Sequence, residues 1–385
     1  MVVLESRDRV GGRVWSHRFT DGQICERGAE FIDSNHAEVL ALAADLGLRW
    51  SERPESDASG STLIDTGGRP VPPHLHATLA TDLERWEDTV AALDPTDEFE
   101  SASLADLLSG LGLSAVSRAV IGRDVRTEYM LPPAEVSQRF AAQIAAVQQA
   151  DCRERHRIVG GNDQLATGLA DRLGVLVRTS TPVAAIDPVS GEVRLVEGGV
   201  LTADTIVAAL PLPVLSRLWA SMPAELATVG YGIGGKVSVQ FGRRVWLDYG
   251  RNGTVLSDRA WGHLWETTDD QPGDHGVLTA LMSSNDGAAF VALPGSEEQV
   301  VAEIDRIFPG ARGLAGERVR TDWNADSSSL GCYACFGPGQ WRDAQRALHE
   351  QHGRMWIAGE HADGFAGFME GALRSGRRVA RRITG

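Results

Sequence analysis

The spacing of hydrophobic and polar positions changes period several times along the chain. Met1-Val2-Val3-Leu4-Glu5 is a short apolar run closed by an acid and reads as a strand. From Asn35 to Leu46 the spacing becomes helical. Val39, Leu42, Ala43 and Leu46 share one face, Asn35 with Glu38 forms a capping-box-like start, and Gly47 supplies a stop. Residues 52 to 74 are rich in Ser, Gly, Pro and Asp and predict loops with short strands. Two further helical series follow, Leu75, Leu79, Leu83, Trp86, Val90 and Leu93, then Val136, Phe140, Ile144 and Val147. Residues 75 to 150 therefore read as a helical insertion.

Beyond it, Gly160-Gly161 precedes a helix through Leu165, Leu169 and Leu173. Short strands are expected at 175–177, 193–196 and 206–210. Lys236 to Phe241 alternates with period two, as a half-buried strand does. Ser296 with Gln299 predicts a capped helix ending at Pro309-Gly310. Strands at 318–323 and 355–358 and a helix over 367–383 close the chain. Strands alternating with helices, with a helical insertion, predict an α/β core interrupted by a substrate domain.

Composition narrows this picture. At 385 residues, two domains are expected. Asp and Glu outnumber Lys and Arg by 52 to 37, a net charge of −15, which argues against nucleic acid and suits a cationic ligand. Four Cys do not make a disulfide scaffold in a chain this long. With neither a run of about 18 apolar residues nor a basic-then-apolar leader, no membrane segment is expected and the location is expected to be cytoplasmic.

The candidate chemistry starts at Glu5. A carboxylate at a strand end can accept hydrogen bonds from ribose hydroxyls, and the paired Gly11-Gly12 beside Arg13 would let backbone and charge approach a pyrophosphate. Alone, Glu5 reads equally as a solvated surface acid. The whole string Leu4-Glu5-Ser6-Arg7-Asp8-Arg9-Val10-Gly11-Gly12-Arg13 is far more specific. It resembles the flavin-dependent monoamine oxidase family, whose second strand ends in Leu-Glu-Ala-Arg-Asp-Arg-Val-Gly-Gly-Arg.

Further matches follow in order up to Ile383. Gly28-Ala29-Glu30-Phe31-Ile32 resembles the family's segment beside the flavin. Gly160 to Leu165 resembles its second Gly-Gly helix start, and Ala203 to Val207 with Pro211 its closing strand. Gly359-Glu360-His361 and Gly367-Phe368-Met369-Glu370-Gly371-Ala372 resemble its C-terminal flavin-contacting segment. The resemblance implies a discontinuous FAD-binding, doubly wound domain over 1–55, 151–215 and 345–385. An α+β substrate domain would cover 56–150 and 216–344. The cofactor would be FAD, held by Glu5, Gly11, Gly12, Arg13, Gly28, Ala29, Glu30, Phe31, Val183, Cys332, Gly359, Glu360, Gly367, Phe368 and Met369. The partners implied are a small amine and O2, and a homodimer stays open.

Lys236 sits in apparent GxGxxG and P-loop patterns with Gly230, Gly232 and Gly235. Val237 occupies the place of the Mg²⁺-binding hydroxyl, and a strand follows where both motifs need a helix. The resemblance instead gives Lys236 the role of holding a water near flavin N5; a surface Lys at a strand edge is the plain alternative. Cys332-Tyr333-Ala334-Cys335 has CxxC spacing but lacks companions for a zinc site, Cys25 and Cys152 being scattered. Ser329-Leu330-Gly331-Cys332-Tyr333 resembles, with one change, the segment whose Cys bonds covalently to the flavin 8α carbon. Cys332 is thus either an attachment point or a free thiol.

Tyr333 and Phe368 match the two rings that guide the amine in that family, with Phe368 lacking the more usual hydroxyl. Aromatic faces attract cations. The start of the last helix can stabilise negative charge on a reduced flavin. His361 reads as a segment residue near the pyrophosphate or a satisfied, partly buried His, and His349 and His352 as surface residues of one helix face.

The reaction implied is oxidative deamination. A hydride equivalent leaves the amine α-carbon for flavin N5, the imine hydrolyses to aldehyde, and O2 is reduced to H2O2. Other flavin oxidoreductases of this fold, acting on amino acids or polyamines, stay open. In the dinucleotide-binding fold a first strand and GxGxxG turn precede the ribose acid by about 20 residues, whereas here the acid is Glu5. The first βα unit is therefore expected to be missing. Loss of two charge-assisted bonds of about 1.5–3 kcal/mol each predicts weak flavin retention for a chain starting at Met1. A flavin-poor, non-catalytic or partner-dependent protein is the alternative expectation.

Overall fold

The computed structural model describes residues 1–52, 61–96, 99–148 and 154–385. The expected domain limits at 55/56 and 150/151, and Cys152, lie outside these.

One part of the molecule is built from parallel strand pairs. Val3–Leu4 pairs with Val177–Arg178, and Ile206–Ala208 with Met355–Ile357. No described strand joins the two pairs into one sheet. The apolar opening run forms a strand at Val3–Leu4 as its pattern predicts, with Val2 and Val3 partly open to solvent. Val183–Asp187, Glu192–Leu195 and Val200–Thr202 form an antiparallel meander beside them. Helices Ala37–Asp45, Gln164–Leu173 and Met369–Thr384 pack through Val39, Ala43, Leu165, Met369 and Leu373.

The second part is a mixed seven-stranded sheet in which Gly234–Phe241 lies second from one edge, paired to Gly276–Ser283 and to the edge strand Ala315–Asp322. Helices Ser284–Ala292 and Ser296–Ile307 cover one face, with Val291, Val300 and Ile304 against Val237, Val239 and Phe241. Four helices, His76–Ala91, Leu104–Gly110, Ala115–Tyr129 and Gln138–Val147, make the expected helical layer.

Several expectations need correction. Strand Gly234–Phe241 alternates as predicted but is buried on both faces rather than half-buried. Its polar face meets protein. Lys236 reaches Glu30, Ser238 reaches Thr279, and Gln240 reaches Asp21 and Gln23. Asn35 does not cap helix Ala37–Asp45: the N-cap position falls on His36, the Asn35 amide donates to the Val147 carbonyl, and its Oδ1 accepts no hydrogen bond. The buried Glu370 carboxylate instead accepts the N–H groups of Glu38 and Val39, satisfying a helix start from 331 residues away. Ser296 lies inside its helix after a left-handed Gly295, so Gly295 rather than Ser296 is the N-cap. Val136 is extended and precedes its helix. Residues 175–176 belong to a short 3-10 turn, with the strand starting at Val177. His352 lies beyond helix Trp341–His349, so His349 and His352 share no helix face. Both are partly buried, and the His352 ring packs edge-on to Trp219.

Candidate active site

A cavity of about 1140 Å³ runs between the strand pairs and the seven-stranded sheet, and every site residue named from the sequence lines it. At one end the Val3–Leu4 strand delivers Glu5, whose Oε1 accepts the Arg7 N–H at 2.8 Å. Arg7 is anchored in turn to Asp326 at 2.7 Å. Val183, at the start of its strand, lines the same wall. Gly11 has φ +98°, and an added Cβ would meet the Val14 carbonyl oxygen at 2.6 Å, so this turn needs glycine. The turn delivers Arg13, which donates to Glu360 at 3.0 Å. Glu360 also accepts from Ala334 N at 3.1 Å and Gly367 N at 2.8 Å. Burial pushes this carboxylate up, but Arg13 and these donors hold it below its ordinary range. One ion pair thus ties the segments carrying Arg13, Cys332, Gly359 and Gly367.

The middle of the cavity is set by Lys236 and Glu30. The Lys236 ammonium donates to Glu30 Oε2 at 2.8 Å, to the Gly28 carbonyl at 2.9 Å and to the Glu26 carbonyl at 3.3 Å. All three of its donors therefore have protein acceptors. Glu30 Oε1 accepts from Trp265 Nε1 at 2.9 Å, Arg157 at 3.1 Å and Thr267. Burial would raise the Glu30 carboxyl, yet Lys236 and Arg157 bring it down to about 2. Neighbouring Glu26 has weaker support from Ser16 and Asn162, and burial pushes it up to about 7. Gly28 is in the closest approach of the site, since a Cβ there would fall 1.8 Å from the Arg13 carbonyl oxygen. Ala29 and Phe31 follow it along the cavity wall.

Tyr333 and Phe368 both line the next section. The Tyr333 hydroxyl donates to the Glu128 carbonyl at 2.6 Å, and Gly367 lies against its ring, 3.4 Å from an added Cβ. Phe368 caps helix Met369–Thr384 and packs edge-on to His36, 5.3 Å between centroids. The start of this 16-residue helix, with Met369, faces the cavity. Its unpaired N–H groups favour negative charge there, because Glu370 serves another helix. Cys332 lines the cavity as a free thiol. Burial pushes it up to about 12 against the pull of Arg13 and Lys236. His361 is not a satisfied, partly buried His: it is fully buried with no hydrogen-bond partner on either ring nitrogen, and burial keeps it neutral, near 4.

The far end holds groups the sequence reading missed. Asp124, Thr127 and Glu128 project from helix Ala115–Tyr129, opposite His263 and Trp265. Burial, reinforced by Glu87, raises Asp124 to about 6; burial and Asp124 raise Glu128 to about 7. Burial lowers His263 to about 4, leaving it neutral. The spacing of Asp124 and Glu128, four apart on a helix, was the only signal available, and it is equally that of a solvated face. Among the described residues, no helix is long and apolar enough to cross a membrane.

The cradle fits a dinucleotide flavin on three observations. A strand-end acid sits at one end, glycines packed too closely on neighbouring backbone for a Cβ line the middle, and a helix start faces the section of Tyr333 and Phe368. Comparison with known proteins points to a flavin enzyme. The family model for flavin-containing amine oxidoreductases matches residues 1–384. A nicotine dehydrogenase of Pseudomonas putida is 25% identical, the match covering 99% of this chain and 83% of the relative. An L-amino acid dehydrogenase of Synechocystis is 25% identical over 100% of this chain and 90% of its own. Putrescine oxidase, solved with putrescine bound, superposes with a TM-score of 0.85 at 21% identity, covering 100% of this chain and 93% of that one, a likeness of fold. The chain belongs to the family of flavin-containing amine oxidoreductases.

Proposed function

We propose that the protein is an FAD-dependent amine oxidase that converts a primary or secondary amine to an imine, hydrolysed afterwards to an aldehyde, with O2 reduced to H2O2. The single observation that carries this reading is the continuity of the cavity from Glu5 to the Tyr333 and Phe368 rings. When bound, FAD supplies the two-electron acceptor.

The chain's own residues do the rest. Glu5 would hold ribose hydroxyls, while Gly11, Gly28 and Gly359, packed where no Cβ fits, would shape the cradle wall against Val14, Arg13 and His361. The start of helix Met369–Thr384 would favour negative charge on a flavin held beside it. Tyr333 and Phe368 present ring faces to the amine. Lys236 fixes the Gly28–Phe31 segment through its carbonyl and carboxylate bonds, and the water-holding role would require it to release one of them.

Reconstitution with excess FAD followed by anaerobic addition of amines tests this reading. Bleaching of the visible flavin absorbance, with H2O2 formed on readmitting air, is the expected result. Bound FAD that no primary or secondary amine bleaches would overturn it. The names of the two dehydrogenase relatives favour a second reading, transfer of the electrons to an acceptor other than O2. Bleached protein that recolours with an added dye but not with air would establish that reading.

We also infer that the flavin is held without a covalent bond. The Cys332 thiol borders the cavity, but burial keeps it protonated, and the thiol is a far poorer nucleophile than the thiolate. Acid precipitation of the reconstituted protein should leave the flavin in the supernatant. Flavin that stays with the pellet, and is lost from it in Cys332→Ala, would reverse the assignment.

A further inference from the structure

We propose that His36 is a positioning residue that fixes the ring plane of Phe368, the cavity ring with no hydroxyl to anchor it. This rests on the amine-oxidising reading, in which Phe368 presents its face to the amine.

Tyr333 and Phe368 wall the same section of the cavity, and they are anchored by different physics. Tyr333 is pinned by its hydroxyl, which donates to the Glu128 carbonyl at 2.6 Å. Phe368 has no polar handle, and the torsion that turns a phenyl ring about its own axis has only broad minima. Its plane is set by what packs against it. His36 meets it edge-to-face, with centroids 5.3 Å apart and planes at 65°. Phe365 closes the trio, at 78° and 5.9 Å from His36 and at 82° and 6.5 Å from Phe368. Crossed arrangements of this kind are favoured by the ring quadrupoles. The Arg374 guanidinium lies over Phe365 at 4.9 Å and is itself tied to Asp363 at 3.0 Å, which braces the third ring.

His36 is itself firmly held. It is buried, and its Nδ1 accepts the Asp33 N–H at 3.1 Å, which leaves the ring proton on Nε2, 3.5 Å from Asp33 Oδ2. One residue thus brackets both nitrogens of the imidazole. Burial lowers the ring to about 4, so a cationic amine meets no like charge there at neutral pH. His36 is the N-cap of helix Ala37–Asp45, and Phe368 is the N-cap of helix Met369–Thr384. The Glu370 carboxylate, two residues beyond Phe368, accepts the Glu38 and Val39 N–H groups, each at 3.0 Å, and so laces the two helix starts together. The imidazole therefore has a fixed place from which to hold the phenyl ring in one orientation.

Crystal structures of the FAD-reconstituted wild type, His36→Asn and His36→Phe test this, with anaerobic flavin bleaching by n-butylamine as a second readout. The two variants separate the roles of the imidazole. His36→Asn keeps an acceptor for the Asp33 N–H and a good N-cap but has no ring, whereas His36→Phe keeps a ring edge and loses the acceptor. In His36→Asn the Phe368 ring should turn by about 30° or more, or split between two orientations. The bleaching rate at saturating amine should then fall about tenfold, as expected for one lost edge-to-face contact. In His36→Phe the ring should keep its wild-type plane, and the rate should stay within about twofold of wild type. A Phe368 ring unmoved in His36→Asn overturns the proposal. So does a rate that falls equally in both variants, which is what lost stability alone would give. A wild-type structure with Phe368 in two orientations overturns it even if neither variant folds. Should no amine bleach the wild-type flavin, the oxidase reading falls and the ring planes alone decide.

Discussion

Glu30→Gln is expected to destabilise the protein by about 3–5 kcal/mol, the cost of leaving buried charges without their partner. Glu30 is the common acceptor for Lys236, Arg157, Trp265 and Thr267, and a neutral amide cannot replace a carboxylate that serves two cations. Denaturant unfolding at neutral pH reads the loss as a lower midpoint with an unchanged slope. The pH dependence gives an independent check. The folded-state carboxyl is depressed to about 2, below its unfolded value near 4.5. Its contribution is therefore fully present above the unfolded pKa and disappears as pH falls through the folded one. The wild-type protein should lose this increment on acidification below about 4.5, and Glu30→Gln should not. A variant as stable as wild type, with the same acid profile, would show that Asp269 and Asp270 alone balance Arg157 and that Lys236 needs no counter-charge.

Gly28→Ala should abolish flavin binding and cost about 1–3 kcal/mol or more through overpacking. The added methyl would fall 1.8 Å from the Arg13 carbonyl oxygen, with Trp323 at 3.0 Å behind it. Backbone must move, and the Ala29 N–H bond to the same oxygen, 3.1 Å, moves with it. So does the Gly28 carbonyl that Lys236 holds. Flavin titration followed by protein fluorescence measures the first effect and thermal unfolding the second. Gly122→Ala is the matched control. It lies inside helix Ala115–Tyr129 with open space around a new Cβ, so it should stabilise by roughly 0.5–1 kcal/mol. Full flavin affinity in Gly28→Ala would mean that the 28–31 segment does not shape the cofactor cradle.

How much of this was legible in the sequence depended on the range of the interaction. Glu5 was recognisable because the acid, the strand before it and the Gly pair after it are contiguous, and Phe368 because it sits in the contiguous Gly367–Ala372 segment that carries the resemblance, although the helix starts at Met369 rather than at Gly367. The period-two pattern from Lys236 located a strand correctly. It could not say that the polar face would be covered, since the covering residues Asp21, Gln23 and Glu30 lie more than 200 positions earlier. Asn35 misled for the same reason: a local rule assigned the cap, and the distant Glu370 won it with two charge-assisted bonds. Asp124 and Glu128 had no sequence signature, because a carboxylate aimed into a cavity and one aimed into solvent share the same helical spacing. The resemblance supplied Lys236 with a role, but the saturation of its ammonium by three oxygen atoms became visible only in three dimensions.

The seam between strand Gly234–Phe241 and residues 21–30 also bears on how the chain reaches its native state. Lys236 and Gln240 find their acceptors across more than 200 residues, and strand Val3–Leu4 waits for Val177–Arg178. Contacts of such long range demand that most of the chain be made and compacted before they repay the entropy of closing the loop. Until then, strand Gly234–Phe241 carries an unpaired ammonium on the face meant to be covered. Synthesis of the first half cannot yield a finished lobe, and assembly must be late and concerted, with a correspondingly long window in which the unfinished sheet is open to aggregation.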